Sequence, residues 1–257
     1  MQDLECFRVE VESHVATVTM RRPPVNAQNA RFREELMLVF DTMHDRADVR
    51  AVVLTGEGRS FSAGADLKDR PDRETPGAYP RHNRWVREAF YAVTECDKPV
   101  IAAINGPAIG AGFVLALSCD IMLAAEEAWV AMTEVDVGLA GGVRHVMQVF
   151  GRSDARLMFY TARRVPAAEL HRLGIVSGVY PRERLLAEAM IVARCIAEKS
   201  PLAIREAKRS FNLVEGLSLR DGYRYEQSRT VALSATEDSR EAQAAFREKR
   251  KPVFKGR

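Results

Sequence analysis

The chain of 257 residues has little cysteine, little net charge and no long apolar run, and each shortage narrows the classes of protein to which it can belong. No stretch of about 20 apolar residues is present, which excludes a membrane-spanning helix. The four cysteines lie far apart and fit no CxxC spacing, so we expect reduced packing residues. A net charge of +3, with acidic and basic residues interspersed, argues against a nucleic-acid-binding surface.

Residues 1–12 also lack the features of a targeting segment. They are acidic, without the basic start and apolar stretch of a signal peptide or the Arg-rich composition of a transit peptide. We therefore expect a cytoplasmic location.

Several common catalytic and cofactor motifs are missing as well. The glycines of segment 105–112 have neither the GxGxxG spacing nor the lysine and hydroxyl of a P-loop. No GxSxG elbow and no HExxH motif occur, and the five histidines are scattered without metal-ligand spacing. The sequence thus predicts no serine nucleophile, no metal site and no redox cofactor.

The hydrophobic pattern predicts an α/β core followed by a helical C-terminal region. Alternating residues in 7–11 and 15–20 indicate a β-hairpin, and the apolar run 51–56 indicates a buried strand. A helical face with period 3.6 is formed by Phe32, Leu36, Val39, Phe40 and Met43. Further strands are predicted at 99–110 and 120–125, and further helices at 83–96, 110–118, 181–198, 201–214, 219–233 and 237–250. From residue 142 onward almost everything is predicted helical, and the polar stretch 69–81 is predicted to be a flexible or functional loop.

Two loops of small residues, 58–68 and 105–112, each follow a predicted strand. Small side chains allow a ligand to approach the backbone, and amides in the first turn of a helix have no intrahelical acceptor. One such loop often marks only a tight turn, but two suggest amide donors that converge on one oxygen. Without a nucleophile, this arrangement favours carbon-acid chemistry in which an enolate oxygen is stabilised.

Four segments resemble the enoyl-CoA hydratase/isomerase (crotonase) family, in the family's order and over almost the full chain. They are FSAGADLK (61–68), IAAINGPAIGAG running into LALSCDIMLA (101–124), MTEVDVGL (132–139) and FREKRKPVFKGR (246–257). The resemblance implies a ββα spiral core over residues 1–195 and a helical trimerisation region over 196–257. It also implies a homotrimer or a dimer of trimers, an acyl-CoA thioester substrate, and no cofactor other than the coenzyme A of that substrate.

The resemblance further assigns roles to particular residues. The backbone N–H groups of Ala65 and Ala111 match the two oxyanion donors of the family, with Ala111 in place of the more usual glycine. The positions implied to lie beside coenzyme A are Ala63, Asp66, Leu67 and Lys68. From chemistry alone, Asp66 is better interpreted as a carboxylate that braces its loop, and Lys68 equally fits an exposed, solvated lysine.

The acid/base residues depart from the family pattern. Hydratases of the family carry two glutamates, and the matching positions here are Val114 and Glu134. Glu134 is the predicted acid/base, while Val114 cannot transfer a proton, which favours double-bond isomerisation slightly over hydration. Asp136 would supply a second carboxylate if its segment were extended, since residues two apart then share a face, whereas in a helix they diverge.

A second departure is the stretch Gly138–Gly142, which is about three residues shorter than in the resembling family. The shortening is expected to bring Arg144 and His145 within reach of the substrate, where His145 would supply an acid; the alternative is that both are ordinary helix residues. Decarboxylation or thioester hydrolysis of an acyl-CoA also stays open, because both use the same oxyanion hole. A non-catalytic acyl-CoA binder is the alternative from a different class, suggested by Val114.

Overall fold

The computed structural model of the chain describes residues 4–72 and 74–257. The strands are β1 (Phe7–Glu12), β2 (Val15–Met20), β3 (Ala51–Gly56), β4 (Val100–Ile104), β5 (Ala108–Ile109), β6 (Ile121–Ala125), β7 (Trp129–Ala131), β8 (Val165–Pro166) and β9 (Gly178–Tyr180). The α-helices are α1 (Ala30–Asp45), α2 (Ala78–Thr94), α3 (Ala111–Leu117), α4 (Val143–Val149), α5 (Arg152–Thr161), α6 (Ala167–Arg172), α7 (Arg182–Ala197), α8 (Pro201–Val214), α9 (Leu219–Ser234) and α10 (Glu237–Glu248). Short 3-10 helices span Leu67–Asp69 and Glu134–Val137.

The larger sheet has the strand order β1-β2-β3-β4-β6-β9. β1 and β2 form the predicted antiparallel hairpin, in which Phe7 lies opposite Met20. The pairs from β2 onward are parallel, and every residue of β3 and β4 is buried. Helix α7 packs across β3, β4 and β6. Strands covered in this way have apolar residues on both faces, which explains the run AVVLTG.

Between each main strand and the next helix, the chain adds a short segment to a second layer. In this layer β5 pairs with β7, and β7 pairs with β8. Isolated parallel bridges extend it, joining Gln28 to Ala65 and Ser62 to Ala108. Each turn of the chain therefore passes through a main strand, a second-layer segment and a helix, as in the expected ββα spiral. Consecutive turns lie side by side in the second layer.

The helices are fixed by burial and by capping. The face of α1 that was predicted from its period of 3.6 is buried, and the side chain of Asn29 caps the helix by accepting from the N–H of Phe32 at 2.9 Å. Helix α8 is joined to the core by a buried lysine. The Nζ atom of Lys208 lies 2.8 Å from Oδ2 of Asp120 and 3.0 Å from the carbonyl oxygen of Lys98. Among the helices described for 4–72 and 74–257, none is long and apolar enough to cross a bilayer.

Some sequence-based expectations need correction. The single strand predicted at 99–110 is two strands in different layers, because the chain turns at Gly106 and Pro107. The region after residue 142 is not wholly helical, since β8 lies in the second layer and β9 forms an edge of the larger sheet. The predicted loop 69–81 includes the end of a 3-10 helix and the start of α2. Cys195, predicted to pack inside, is exposed.

Candidate active site

The N–H groups of Ala65 and Ala111 are the candidate oxyanion donors. In the bridge between Gln28 and Ala65, the N–H of Gln28 donates to the carbonyl of Gly64 at 2.8 Å. The N–H of Asp66 donates to the carbonyl of Gln28 at 3.1 Å. The N–H of Ala65 therefore points away from Gln28. Ala111 is the first residue of α3, where an N–H has no intrahelical acceptor. Neither N–H donates to an acceptor within residues 4–72 and 74–257.

The two loops touch each other through their backbones. A Cβ atom placed on Gly64 would collide with the carbonyl oxygen of Ile109 and lie only 3.1 Å from the amide nitrogen of Ala111. Gly64 also has a φ of +83°, which L side chains rarely adopt. A residue with a side chain would force the loops apart. The structure thus brings loops 58–68 and 105–112 together, as their small residues predicted.

Glu134 is the first residue of the 3-10 helix that follows β7. Its carboxylate lies directly against Gly110, the residue before Ala111. A Cβ atom on Gly110 would lie 2.5 Å from Oε1 and 3.6 Å from Oε2 of Glu134. Gly110 has a φ of +53° and no Cβ atom, and the carboxylate of Glu134 occupies the space that a Cβ atom would fill. Ala65, Ala111 and Glu134 belong to three consecutive turns of the spiral and meet because those turns lie side by side.

The electrostatics around Glu134 suit a group that accepts a proton. Its Oε2 atom is buried and has no hydrogen-bond partner in the described part of the chain. Burial raises the pKa of the carboxyl group, because the charged form is poorly solvated there. Its own backbone N–H and, to a lesser degree, the charge of Arg70 oppose this effect only in part. A half-buried carboxylate with an unused oxygen lone pair is a candidate general base.

Val114 matches the position of the other glutamate of the resembling hydratases. Its N–H donates to the carbonyl of Gly110 at 3.0 Å, so it follows Gly110 by one turn of α3. Its side chain is buried, and its Cγ2 atom would lie 3.0 Å from a Cβ atom on Gly142, with Met132 alongside. The side chain at this position is therefore apolar and is not a second carboxylate.

Asp136 does not meet the condition under which it was expected to assist Glu134. The segment is a 3-10 helix and not an extended strand. At about 120° per residue, side chains two positions apart point in widely different directions. Asp136 is exposed, whereas Glu134 is half-buried.

His145 lies in α4, edge-on to Phe90 with 6.3 Å between the ring centroids. It lines a cavity of about 670 Å³ between the core and α8. Glu134 and the two alanines are not among the residues that line this cavity. The pKa of His145 is lowered by burial and, to a lesser degree, by Arg144, which favours the neutral imidazole. The structure does not bring His145 into the same cavity as Glu134.

The positions expected beside coenzyme A lie on the outer side of loop 58–68. Asp66 caps the following 3-10 helix by accepting from the N–H of Lys68 at 3.0 Å, and it pairs with Arg22 at 2.8 Å. These bonds lower the pKa of Asp66 and agree with its interpretation as a brace. Leu67 and Lys68 are exposed and Ala63 is half-buried, so all three are accessible to a ligand.

Two residues of the site were missed by the sequence analysis. Gly110 was treated only as one small residue among several, although a glycine directly before a helix was a usable signal. Arg70 gave no signal, because it belongs to no motif and lies in a polar stretch. Its charge acts on Glu134 although the two residues lie far apart in the chain.

The fold and the candidate site define a class of α/β spiral proteins. Successive turns of the spiral bring together two candidate main-chain donors and one carboxylate. The chain matches the family model "Enoyl-CoA hydratase/isomerase" over residues 10–257. It is 34% identical to the 2,3-dehydroadipyl-CoA hydratase of Escherichia coli, covering 97% of this chain and 98% of the relative. A crystal structure of enoyl-CoA hydratase from Bacillus anthracis superposes with a TM-score of 0.92 at 33% identity, covering 98% of this chain and 100% of that one.

A further relative, from Rhodococcus jostii, is the (7aS)-7a-methyl-1,5-dioxo-2,3,5,6,7,7a-hexahydro-1H-indene-carboxyl-CoA hydrolase. It is 35% identical over 93% of this chain and 92% of its own length. The chain belongs to the enoyl-CoA hydratase/isomerase family.

Proposed function

We propose that this enzyme forms the enolate of an acyl-CoA thioester and moves a proton along its carbon chain. The N–H groups of Ala65 and Ala111 hold the thioester oxygen, and Glu134 is the base. The observation that carries the proposal is the carboxylate of Glu134, whose Oε2 atom is buried without a hydrogen-bond partner and which lies against Gly110, the residue before Ala111. Two aligned N–H donors strengthen their bonds as negative charge develops on the oxygen.

Double-bond isomerisation is the reaction that one carboxylate serves best. Glu134 removes a proton from the carbon next to the thioester of a 3-enoyl group, and the electron pair moves to the thioester oxygen. The same carboxyl group then returns its proton to the fourth carbon, and the double bond is left between the second and third carbons. Hydration needs a group that activates water in addition to proton transfer at the α carbon, and Val114 does not provide one.

Hydrolysis or decarboxylation of an acyl-CoA is the second candidate. It uses the same two donors, and a hydrolase is among the relatives of this chain. Loss of catalysis altogether, leaving an acyl-CoA binder, is the third and is opposed by the unpaired carboxylate of Glu134.

The deciding experiment follows deuterium uptake from D2O by mass spectrometry, with a panel of saturated and unsaturated acyl-CoA thioesters. Glu134→Gln removes the base and retains the size of the side chain. Asp136→Asn is the matched control, because it neutralises an exposed carboxylate in the same 3-10 helix. We expect deuterium in the carbon chain without a gain of water, lost in Glu134→Gln and retained in Asp136→Asn.

A gain of water by the wild type would instead establish hydration with a single glutamate. Release of free coenzyme A or of CO2 would favour the second candidate. Tight binding of a thioester with no exchange and no product would leave a binding protein and refute the role given to Glu134.

The assembly is a separate proposal. We propose that the C-terminal helices pack against other copies of the chain in a trimer or a dimer of trimers. Large apolar side chains are exposed on three consecutive helices, with Phe211 77%, Leu219 91%, Val231 71% and Phe246 86% exposed. Light scattering should give three or six times the mass of one chain, and a monomer at micromolar concentration would contradict this.

A further inference from the structure

Gln28 lies between β2 and α1 and is only 3% exposed. It directly precedes Asn29, the N-cap of α1, whose apolar face is buried in the core. Nη1 of Arg33 also donates to the carbonyl oxygen of Gln28 at 3.0 Å. The main chain at Gln28 is therefore fixed by a packed helix and is a firm support for the groups that it binds.

The main chain of Gln28 holds the peptide unit of the first candidate donor. Its N–H donates to the carbonyl of Gly64 at 2.8 Å. That carbonyl and the N–H of Ala65 belong to one planar peptide unit and point in opposite directions. The bond that fixes the carbonyl on one side therefore fixes the direction of the Ala65 N–H on the other side.

The side chain of Gln28 reaches the second candidate donor. Its Nε2 atom lies 3.1 Å from the carbonyl oxygen of Ala111 and 3.3 Å from Oγ of Ser62. A carbonyl oxygen only accepts, so the side-chain amide must direct its NH2 group towards Ala111. The hydroxyl of Ser62 in turn donates to the carbonyl of Asn26 at 2.7 Å and accepts from the N–H of Gly64 at 3.2 Å. This buried network joins both loops to the segment that precedes α1.

We infer that Gln28 is a positioning residue, which sets the separation and the direction of the Ala65 and Ala111 N–H groups. Both donors are main-chain groups, so only the conformation of their loops determines where they point. Donors that stabilise an enolate oxygen must be directed at it before the charge develops. Because Gln28 is buried, it acts through the two alanines and not by contact with a substrate. The inference rests on the proposed function, since it concerns the donors that hold the thioester oxygen.

The test is infrared difference spectroscopy of a bound saturated thioester that carries 13C at its thioester carbonyl. Acetyl-, butyryl- and octanoyl-CoA are compared, and the one that the wild type binds most tightly is used. The frequency of this carbonyl falls as N–H donors polarise it. The measurement therefore reports on the direction of the Ala65 and Ala111 donors and requires no turnover.

Three variants are compared with the wild type. Gln28→Met retains the length of the side chain and removes its donors, whereas Gln28→Asn retains an amide that is one methylene too short to reach Ala111. The control is Thr55→Val, which also removes a buried hydrogen bond to a main-chain carbonyl. That bond runs from Oγ1 of Thr55 to Ala103 at 2.8 Å, between β3 and β4. Thermal unfolding verifies that each variant is folded.

We expect the carbonyl frequency to fall when the thioester binds to the wild type or to Thr55→Val, and to fall less in both Gln28 variants. In these two variants kcat for α-proton exchange should decrease by about ten- to a hundredfold, because misdirected donors stabilise the enolate poorly. KM should stay within about threefold of the wild-type value, since the donors act most strongly on the transition state. Thr55→Val should retain the wild-type kcat.

Two results would overturn the inference while leaving the proposed function intact. One is a wild-type carbonyl frequency and a wild-type kcat in either Gln28 variant when it is folded. The other is an equal loss of kcat in Thr55→Val and Gln28→Met with no change of frequency, which would make Gln28 a purely structural residue.

The two proposals also fail separately in the other direction. A frequency shift that depends on Gln28, in a wild type that exchanges no α proton and forms no product, would refute the proposed reaction and support the role of Gln28. A wild type that binds the thioester without any fall in frequency would refute both, because Ala65 and Ala111 would not then bind the carbonyl.

Discussion

Gly110→Ala tests whether the position of the Glu134 carboxylate determines activity. The new Cβ atom would lie 2.5 Å from Oε1 of Glu134, where ordinary contacts begin near 3.4 Å. The carboxylate must therefore retreat by about 1 Å, and a displacement of that size typically reduces a rate by about 100-fold. The backbone is strained as well, because φ is +53°, at a cost on the order of 1–3 kcal/mol.

Gly174→Ala separates strain from displacement. Gly174 has a φ of +73°, and a Cβ atom there would meet nothing within 4 Å. Both variants should lose stability in thermal unfolding, Gly110→Ala the more because its Cβ atom also meets Glu134, but only Gly110→Ala should lose activity. The assay is the initial rate of α-proton exchange in D2O, measured at a saturating thioester concentration.

Exchange by folded Gly110→Ala within about threefold of the wild-type rate would refute this reasoning. It would mean either that Glu134 adapts without consequence or that another group moves the proton. Equal losses of activity in both variants would attribute the effect to backbone strain.

Glu134→Gln should raise the melting temperature at pH 7 by about 2–4 °C, on the order of 1 kcal/mol, because it removes a poorly solvated charge. Differential scanning calorimetry should show this gain vanish below about pH 4, where the wild-type carboxyl group is neutral. In a pH-rate profile, the acidic limb of kcat/KM should lie above the ordinary glutamate pKa of about 4.3, because the base must be ionised and burial raises its pKa. Arg70→Met should move this limb to higher pH, because the charge of Arg70 lowers the pKa of Glu134. Lys208→Met should cost about 3 kcal/mol in urea unfolding, because Asp120 would lose its cationic partner at 2.8 Å and retain the N–H of Val100 at 2.7 Å. An unchanged midpoint would show the ion pair to be dispensable.

The elements with a clear period were predictable from the sequence. The 3.6 spacing over residues 32–43 located α1, because it extends over about three turns. The apolar run 51–56 shows no period and located β3 because it is short and ends at a glycine. β9 was missed, since its three residues are too few to show an alternation. The split between β4 and β5 was missed because both pieces are apolar and lie in different layers.

From the pattern of residues alone, only the main-chain part of the candidate site was predictable. Small residues after two strands indicated converging amides, and the resemblance to a family added Glu134. The role of Asp136 depended on local geometry. A sequence of four residues is too short to show whether it forms a 3-10 helix or an extended segment. The electrostatic effect of Arg70 on Glu134 could not be predicted, because Arg70 belongs to no motif and lies in a polar stretch.

The backbone origin of the two donors determines what mutagenesis can detect. Both candidate donor residues are already alanine, so alanine scanning of the site would record a large loss at Glu134 and nothing at positions 65 and 111. Only an amide-to-ester replacement, or a change in chain length within a loop, would expose their contribution. For the same reason, a substitution at a side-chain position such as 114 would leave both candidate main-chain donors unchanged.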